Sequence, residues 1–243
     1  MPDLPLLPEP YVVLLDDRIL SDDLFARGFG RMLAGSARPL VLVHGDGGAA
    51  AQAFEAHARF DASQAETDEA RALAAFVLNR KLASAWSDAG AAVTGLGGEG
   101  RALFRRTNGA VAAANVAFVQ ALLAQRVVPL VAARALNTGP TDAGRMEAVP
   151  LAQAVAALAT ALGGTAVALF RTGAPPLGDV AWSPEDLADH RASLADAEGA
   201  TGLAEAGVPL LVAAPAALVL PGQLRGARLV QGKEAGKDTK RAL

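Results

Sequence analysis

Two glycine-rich turns hold the residues of this chain best suited to chemistry. Residues 39–48 read PLVLVHGDGG. A continuous apolar run ending in His44-Gly45-Asp46-Gly47-Gly48 predicts a buried strand, a tight turn and a helix start. Glycine lets the backbone take positive φ and approach a ligand closely. The free N–H groups and partial positive charge of a following helix suit a phosphate. A strand–helix turn with no ligand has the same signature. So, loosely, does a dinucleotide fingerprint, Gly45-x-Gly47-x-x-Ala50. That last reading needs the loop after the first strand and an acidic residue at the end of the next strand. Here the loop follows the second strand, and a long helix comes next. The second turn, Gly95-Leu96-Gly97-Gly98-Glu99-Gly100, also follows a short apolar strand.

Other reactive residue types are dispersed. His44, His57 and His190 are too scattered for a metal set. His44, at a strand end, reads as a turn or substrate-loop group. Ser36 and Ser193 lack a G-x-S-x-G elbow. Asp16, Asp17, Asp22 and Asp23 read as a solvated loop and helix start, with a cation site as the other reading. Arg105-Arg106 before Thr107-Asn108-Gly109 reads as a solvated hairpin, or as an anion-binding turn. Trp86 reads as core or interface.

The elements that must position these groups alternate between strand and helix. Strands are expected at Tyr11–Leu15, Pro39–Val43, Ala91–Leu96, Val127–Ala132, Thr165–Phe170 and Pro209–Ala213. Helices are expected at Asp22–Ala34, Ala49–Ala58, Thr67–Ala89, Asn115–Gln125, Leu151–Leu162, Pro184–Ala197 and Ala200–Ala206. Thr67 and Asn115 are the expected N-caps, and Gly90 and Gly163-Gly164 the stops. Such alternation implies right-handed crossovers and a mainly parallel sheet with helices on both faces, an α/β sandwich. The expected tail, QGKEAGKDTKRAL, is polar and aperiodic and holds three of the four lysines. The 243 residues suffice for one large domain. No repeat or linker divides them.

Composition excludes several classes. The net charge is −3 and no basic stripe is present, which argues against nucleic acid. There is no cysteine, so there is neither disulfide nor thiol chemistry. The N-terminal MPDLPLLPEP lacks a basic region and is broken by proline, unlike a signal peptide. The longest Ala-rich stretch, Leu151–Leu162, is too short to span a bilayer. The expectation is a cytoplasmic protein with no membrane partner.

The two glycine turns, the long helix between them and QALLAQRVVPLVA (120–132) resemble the amino-acid kinase family, most of all the N-acetylglutamate kinases. There the first loop reads VHGGG, here Val43-His44-Gly45-Asp46-Gly47. The second reads GLSG, here Gly95-Leu96-Gly97-Gly98. Asn115 and Pro129 fall at a family Asn and Pro. The resemblance covers about residues 11–230. It implies an open three-layer αβα sandwich, with a substrate half (about 1–145) and a nucleotide half (about 146–230). It also implies ATP and Mg²⁺, an amino-acid-like ligand, and a homodimer formed through the long helix. The implied reaction moves the γ-phosphoryl group to a side-chain carboxylate, as in arginine or lysine biosynthesis. Catalysis of that kind is positioning and charge neutralisation. His44, Gly45, Asp46, Gly47, Gly48, Gly95, Gly97, Gly98 and Asn115 are the implied phosphate and substrate loops.

The charged groups of the resemblance are missing. Leu14 stands where the family has a lysine, and Asp16-Asp17 where it has two glycines. The second lysine falls near Ala204, and the carboxylate-binding arginine near Ala65. The Asn-x-Asp pair falls near Pro150 and Ala152, and the Thr-Asp near Arg171-Thr172. Between residues 1 and 232 Lys81 is the sole lysine. Arg18 and Arg171 are the candidate substitutes, but a planar guanidinium does not replace a compact ammonium conservatively. The expectation is a catalytically degenerate binding, regulatory or structural protein with ATP binding weakened or lost. The alternative is an active acylamino-acid kinase with relocated groups.

Overall fold

The computed structural model describes residues 9–16, 20, 23–36, 38–48, 64–139, 143–171, 180–218, 220 and 224–230. The expected helix Ala49–Ala58, the tail, and Asp17, Arg18, His57 and Thr172 lie outside them.

The apolar runs become strands. In chain order the first elements are β1 (Tyr11–Leu15), α1 (Asp23–Ala34), β2 (Leu40–His44), α2 (Gln64–Asp88) and β3 (Val93–Gly97). A hairpin, β4 (Phe104–Thr107) and β5 (Ala110–Ala113), leads to α3 (Ala117–Ala124), β6 (Val128–Ala132), β7 (Arg134–Asn137) and β8 (Met146–Ala148). Then come α4 (Leu151–Leu162), β9 (Thr165–Leu169), β10 (Val180–Trp182), α5 (Pro184–Asp189), α6 (Ala197–Glu205), β11 (Leu210–Ala213) and β12 (Ala227–Leu229).

The main sheet has eight strands in the order β10-β12-β11-β9-β1-β2-β6-β3. Its one antiparallel pair is β11 with β12. The expected neighbours β2, β6 and β3 lie side by side and parallel. Side chains of β1 and β2 alternate between two cores, as a period of two requires. Val12, Leu14, Val41 and Val43 face a layer that contains Leu158 of α4 and Leu203 of α6. Val13, Leu15, Leu40 and Leu42 face a layer with Phe29 of α1 and Trp86 of α2. The architecture is a three-layer αβα sandwich with a mainly parallel sheet, as expected. A second, four-stranded sheet, β5-β4-β7-β8, was not foreseen beyond its hairpin.

Several local expectations need correction. Asn115 does not cap a helix; Val116 is the N-cap of α3. Asn115 takes φ 51° and donates Nδ2–H to the Arg101 carbonyl at 2.8 Å. Thr67 lies inside α2, which starts at Gln64. The helix expected over Pro184–Ala197 stops at Asp189, and a 3-10 turn, Arg191–Ser193, follows. Segment 194–195 is drawn out along the end of β9: Phe170 bridges Leu194, and Ala195 N–H donates to Leu169 O. Sheet pairing there overrides helix propensity. The Asn108-Gly109 turn has positive φ at both residues, the geometry of a tight hairpin, as expected.

Trp86 is fully buried. Its ring meets Phe29 edge-on at 5.5 Å, and Nε1–H donates to Ala26 O at 2.8 Å. A Cβ at Gly30 would come within 2.6 Å of the indole. Replacing Trp86 by Ala should therefore cost about 3–5 kcal/mol. Urea unfolding measures this; a loss under about 1 kcal/mol would contradict the packing described.

Candidate functional site

Open parallel sheets bind ligands beyond the carboxyl ends of their strands, where the strand order reverses. β1 is that point, with β2 on one side and β9 on the other. The chain beyond β2 brings Gly45–Gly48 to this edge, and the chain beyond β9 brings Arg171. Leu14 points the other way, into the core. Its Cδ1 would lie 2.8 Å from a Cβ added at Gly199, in the first turn of α6. A cation at position 14 would be desolvated and aimed at the positive end of a helix.

Beyond β1 a cavity of about 590 Å³ is lined by Asp16, Arg191, Asp196 and Glu198 with three alanines. Three carboxylates thus face one guanidinium. The α6 N-terminus, which could hold an anion, is already capped: Asp196 Oδ1 accepts from Gly199 N–H at 2.7 Å. A carboxylate about 4 Å from a phosphate costs about 1 kcal/mol in water and several times more when partly desolvated. The described lining residues, with three carboxylates to one guanidinium, do not fit the polyphosphate of ATP. Among the described residues no group of three or more His, Cys, Asp or Glu could hold a metal ion. Ala204, at the second lysine position, is half-buried against the core. Arg171 is exposed; its N–H donates to Ser193 O.

The first glycine loop is closed on itself. Gly47 and Gly48 have φ of +70° and +69°. Asp46, buried, accepts Gly48 N–H at Oδ1 (3.1 Å) and Arg71 Nε–H at Oδ2 (3.0 Å). The Gly48 donor that could reach a phosphate is therefore engaged. A Cβ at Gly47 would sit 2.8 Å from Leu78. Arg71 was missed by sequence reasoning, because nothing in a 25-residue helix singles out one arginine.

His44, expected as a turn or substrate-loop group, ends β2 with its ring turned into the protein. It is fully buried, and burial lowers its pKa to about 4. The neutral ring donates Nδ1–H to Gly45 O (2.7 Å) and accepts at Nε2 from Asn79 Nδ2 (2.9 Å). Asn79 also donates to Leu130 O at 2.8 Å. One buried amide thus ties α2 to β2 and β6. Asn79 gave no signal in the sequence.

The second glycine loop is tightly packed at Gly95, Gly97 and Gly98. A Cβ at Gly98 would strike the carbonyl oxygens of Arg134 and Ala132 and the ring of Phe104. A Cβ at Gly95 would strike the Asn79 amide, and one at Gly97 the Glu99 carboxylate. Glu99 pairs with buried Arg134 at 3.1 Å, whose guanidinium lies 5.3 Å from the Phe76 ring centroid. Arg106 is held by Glu147 at 3.1 Å, while Arg105 beside it is exposed.

The fold has many solved counterparts. An N-acetylglutamate synthase from Neisseria gonorrhoeae, solved with coenzyme A and N-acetyl-glutamate, matches at TM-score 0.61 and 16% identity, covering 93% of this chain and 60% of the synthase. An isopentenyl phosphate kinase matches at 0.58 and 16%, covering 91% and 100%. An aspartate kinase from Synechocystis matches at 0.66 and 14%, covering 92% and 40%. This chain thus spans less than two thirds of the synthase and of the aspartate kinase. No protein-family model and no curated sequence matches the chain. At these identities the likeness is one of fold, and the fold is the one that the glycine turns implied.

The His44 ring makes stability depend on pH. Its folded pKa of about 4 lies below the ordinary 6.5, so the unfolded chain binds the extra proton between those values. Stability is full above about pH 6.5 and falls as pH drops toward 4, by about 3 kcal/mol in total. Urea unfolding from pH 7.5 to 4 should show this slope. His44→Gln should flatten it. An unchanged slope in His44→Gln contradicts the assignment.

Proposed function

We propose that this chain is a catalytically degenerate protein on a kinase-type sandwich, acting by binding, in a regulatory or structural role. The observation that carries this reading is the cavity beyond β1: Leu14 is buried in the core, and Asp16, Asp196 and Glu198 line the space where phosphates would lie. The glycine loops support it in part, because Gly47, Gly95, Gly97 and Gly98 each have a packed neighbour where a Cβ would lie. An amino-acid-like ligand could still bind at the end of β2, where Arg71 holds Asp46. No described helix is long and apolar enough to cross a membrane, and composition favours the cytoplasm.

A second reading keeps catalysis, as an N-acetylglutamate or related acylamino-acid kinase of arginine or lysine biosynthesis. One observation favours it: exposed Arg171 lies two residues past β9, the neighbour of β1, and Arg191 lines the cavity. The two readings separate in one experiment. Titration with MgATP should give millimolar or weaker binding, and a hydroxamate assay should detect no acyl phosphate from N-acetylglutamate. Micromolar binding with turnover of about 1–100 per second would establish the kinase instead.

The proposal extends to a homodimer formed through α2. Leu82 and Trp86 belong to the core, but Leu73 (62% exposed), Phe76 (40%) and Val77 (58%) do not. Leu73 and Val77 are four residues apart on one face. Exposed Glu69 precedes them and exposed Arg80 and Lys81 follow. Antiparallel packing about a two-fold level with residue 75 sets Leu73 of one copy beside Val77 of the other, and Glu69 beside Arg80 and Lys81. Sedimentation velocity should find a dimer at micromolar concentration, and Val77→Asp should release a folded monomer. A monomeric wild-type chain sinks this part of the proposal.

A further inference from the structure

Among the described residues β3 ends the main sheet and is bonded on one side only, to β6. Ala92 O accepts from Val128 N–H, and Gly98 N–H donates to Ala132 O. The even-numbered residues of this segment therefore face β6. Alternate residues of a parallel strand turn their polar groups opposite ways. The N–H and C=O groups of Gly95 and Gly97 thus point outward. Exposed edges are commonly blunted by lysine, proline or a bulge. The strand VTGLG carries no charged residue and no proline.

A cavity of about 480 Å³ runs along this edge, between β3 and α3. Leu96, Phe118, Ala121 and Leu122 form an apolar wall, and no carboxylate lines it. Arg101 stands at the cavity, its guanidinium 5.4 Å from the Phe118 ring centroid. Arg101 and Ala102 both hold positive φ, 53° and 52°. Non-glycine backbone of this kind persists where its surroundings enforce it. The enforcing contact is the Asn115 amide on the Arg101 carbonyl. The strained turn thereby fixes a cation at the mouth of an apolar groove beside an unpaired strand.

We infer that the β3 edge accepts an extended acidic peptide of a partner protein as an added strand. The peptide backbone bonds to Gly95 and Gly97, an apolar side chain packs on Phe118 and a carboxylate meets Arg101. Strand addition of this kind draws affinity from the main chain and specificity from side-chain pockets. A small carboxylate would satisfy Arg101 but leave the edge unbonded. The inference does not depend on whether ATP binds.

The test is selection of the full chain against a displayed library of random short peptides. Enriched sequences should alternate apolar residues and carry an acidic one. Their binding should shift the Gly95 and Gly97 amide resonances. It should fall at least about tenfold in Arg101→Glu and in Phe118→Ser, each checked for an intact spectrum, and vanish when alternate peptide amides are N-methylated. Failure to enrich any sequence overturns the inference. So does binding that survives Arg101→Glu or N-methylation, as a small-carboxylate site would allow. Protection of the Gly95 and Gly97 amides by self-association alone would assign the edge to a second copy and also overturn it.

Discussion

β1 is covered by helices on both faces, and that burial constrains everything at the switch point. A charge placed inside such a strand costs several kcal/mol unless it is paired. The strand answers with five consecutive apolar or aromatic residues, Tyr11–Leu15. Leu14 fills the space beneath the first turn of α6, and Asp16 is the first polar group past the strand. The positive charge that a phosphate requires must then come from elsewhere around the cavity. Among the described residues its lining is acidic, with Asp16, Asp196 and Glu198 around Arg191.

The glycine loops answer a different constraint, close packing. Gly98 lets β3 turn against the backbone of β6 and β7 with no room for a Cβ. Gly95 makes space for Asn79, whose amide binds His44 and the Leu130 carbonyl. Burying these polar groups is tolerable because each finds a partner. Asp46 replaces a ligand with an internal one, holding Gly48 N–H and Arg71.

Much of this was legible in the sequence, and the exceptions have physical causes. β1, β2, β6 and β9 are continuous apolar runs, buried on both faces, and each fell within a residue of its expected bounds. α4 ended at Gly163 because a left-handed residue stops it (φ 61°). β7, β8, β10 and β12 were missed because strands of three or four residues show no periodicity, and Arg134 and Glu147 interrupt them with charges paired elsewhere. The role of Asn115 was misread because a capping residue and a left-handed residue favour the same side chain. Asn79, Arg71 and Arg134 work through contacts distant in sequence, which no local pattern encodes.

The central claim is that carboxylates, rather than a missing fold, keep polyphosphate out of the cavity beyond β1. Its most direct test is titration of MgATP into the wild-type chain and into the double variant Asp16→Asn, Glu198→Gln. The account predicts a wild-type Kd of millimolar or weaker and a Kd about tenfold tighter once the two charges are removed. A micromolar wild-type Kd, or an affinity unmoved by their removal, would contradict it.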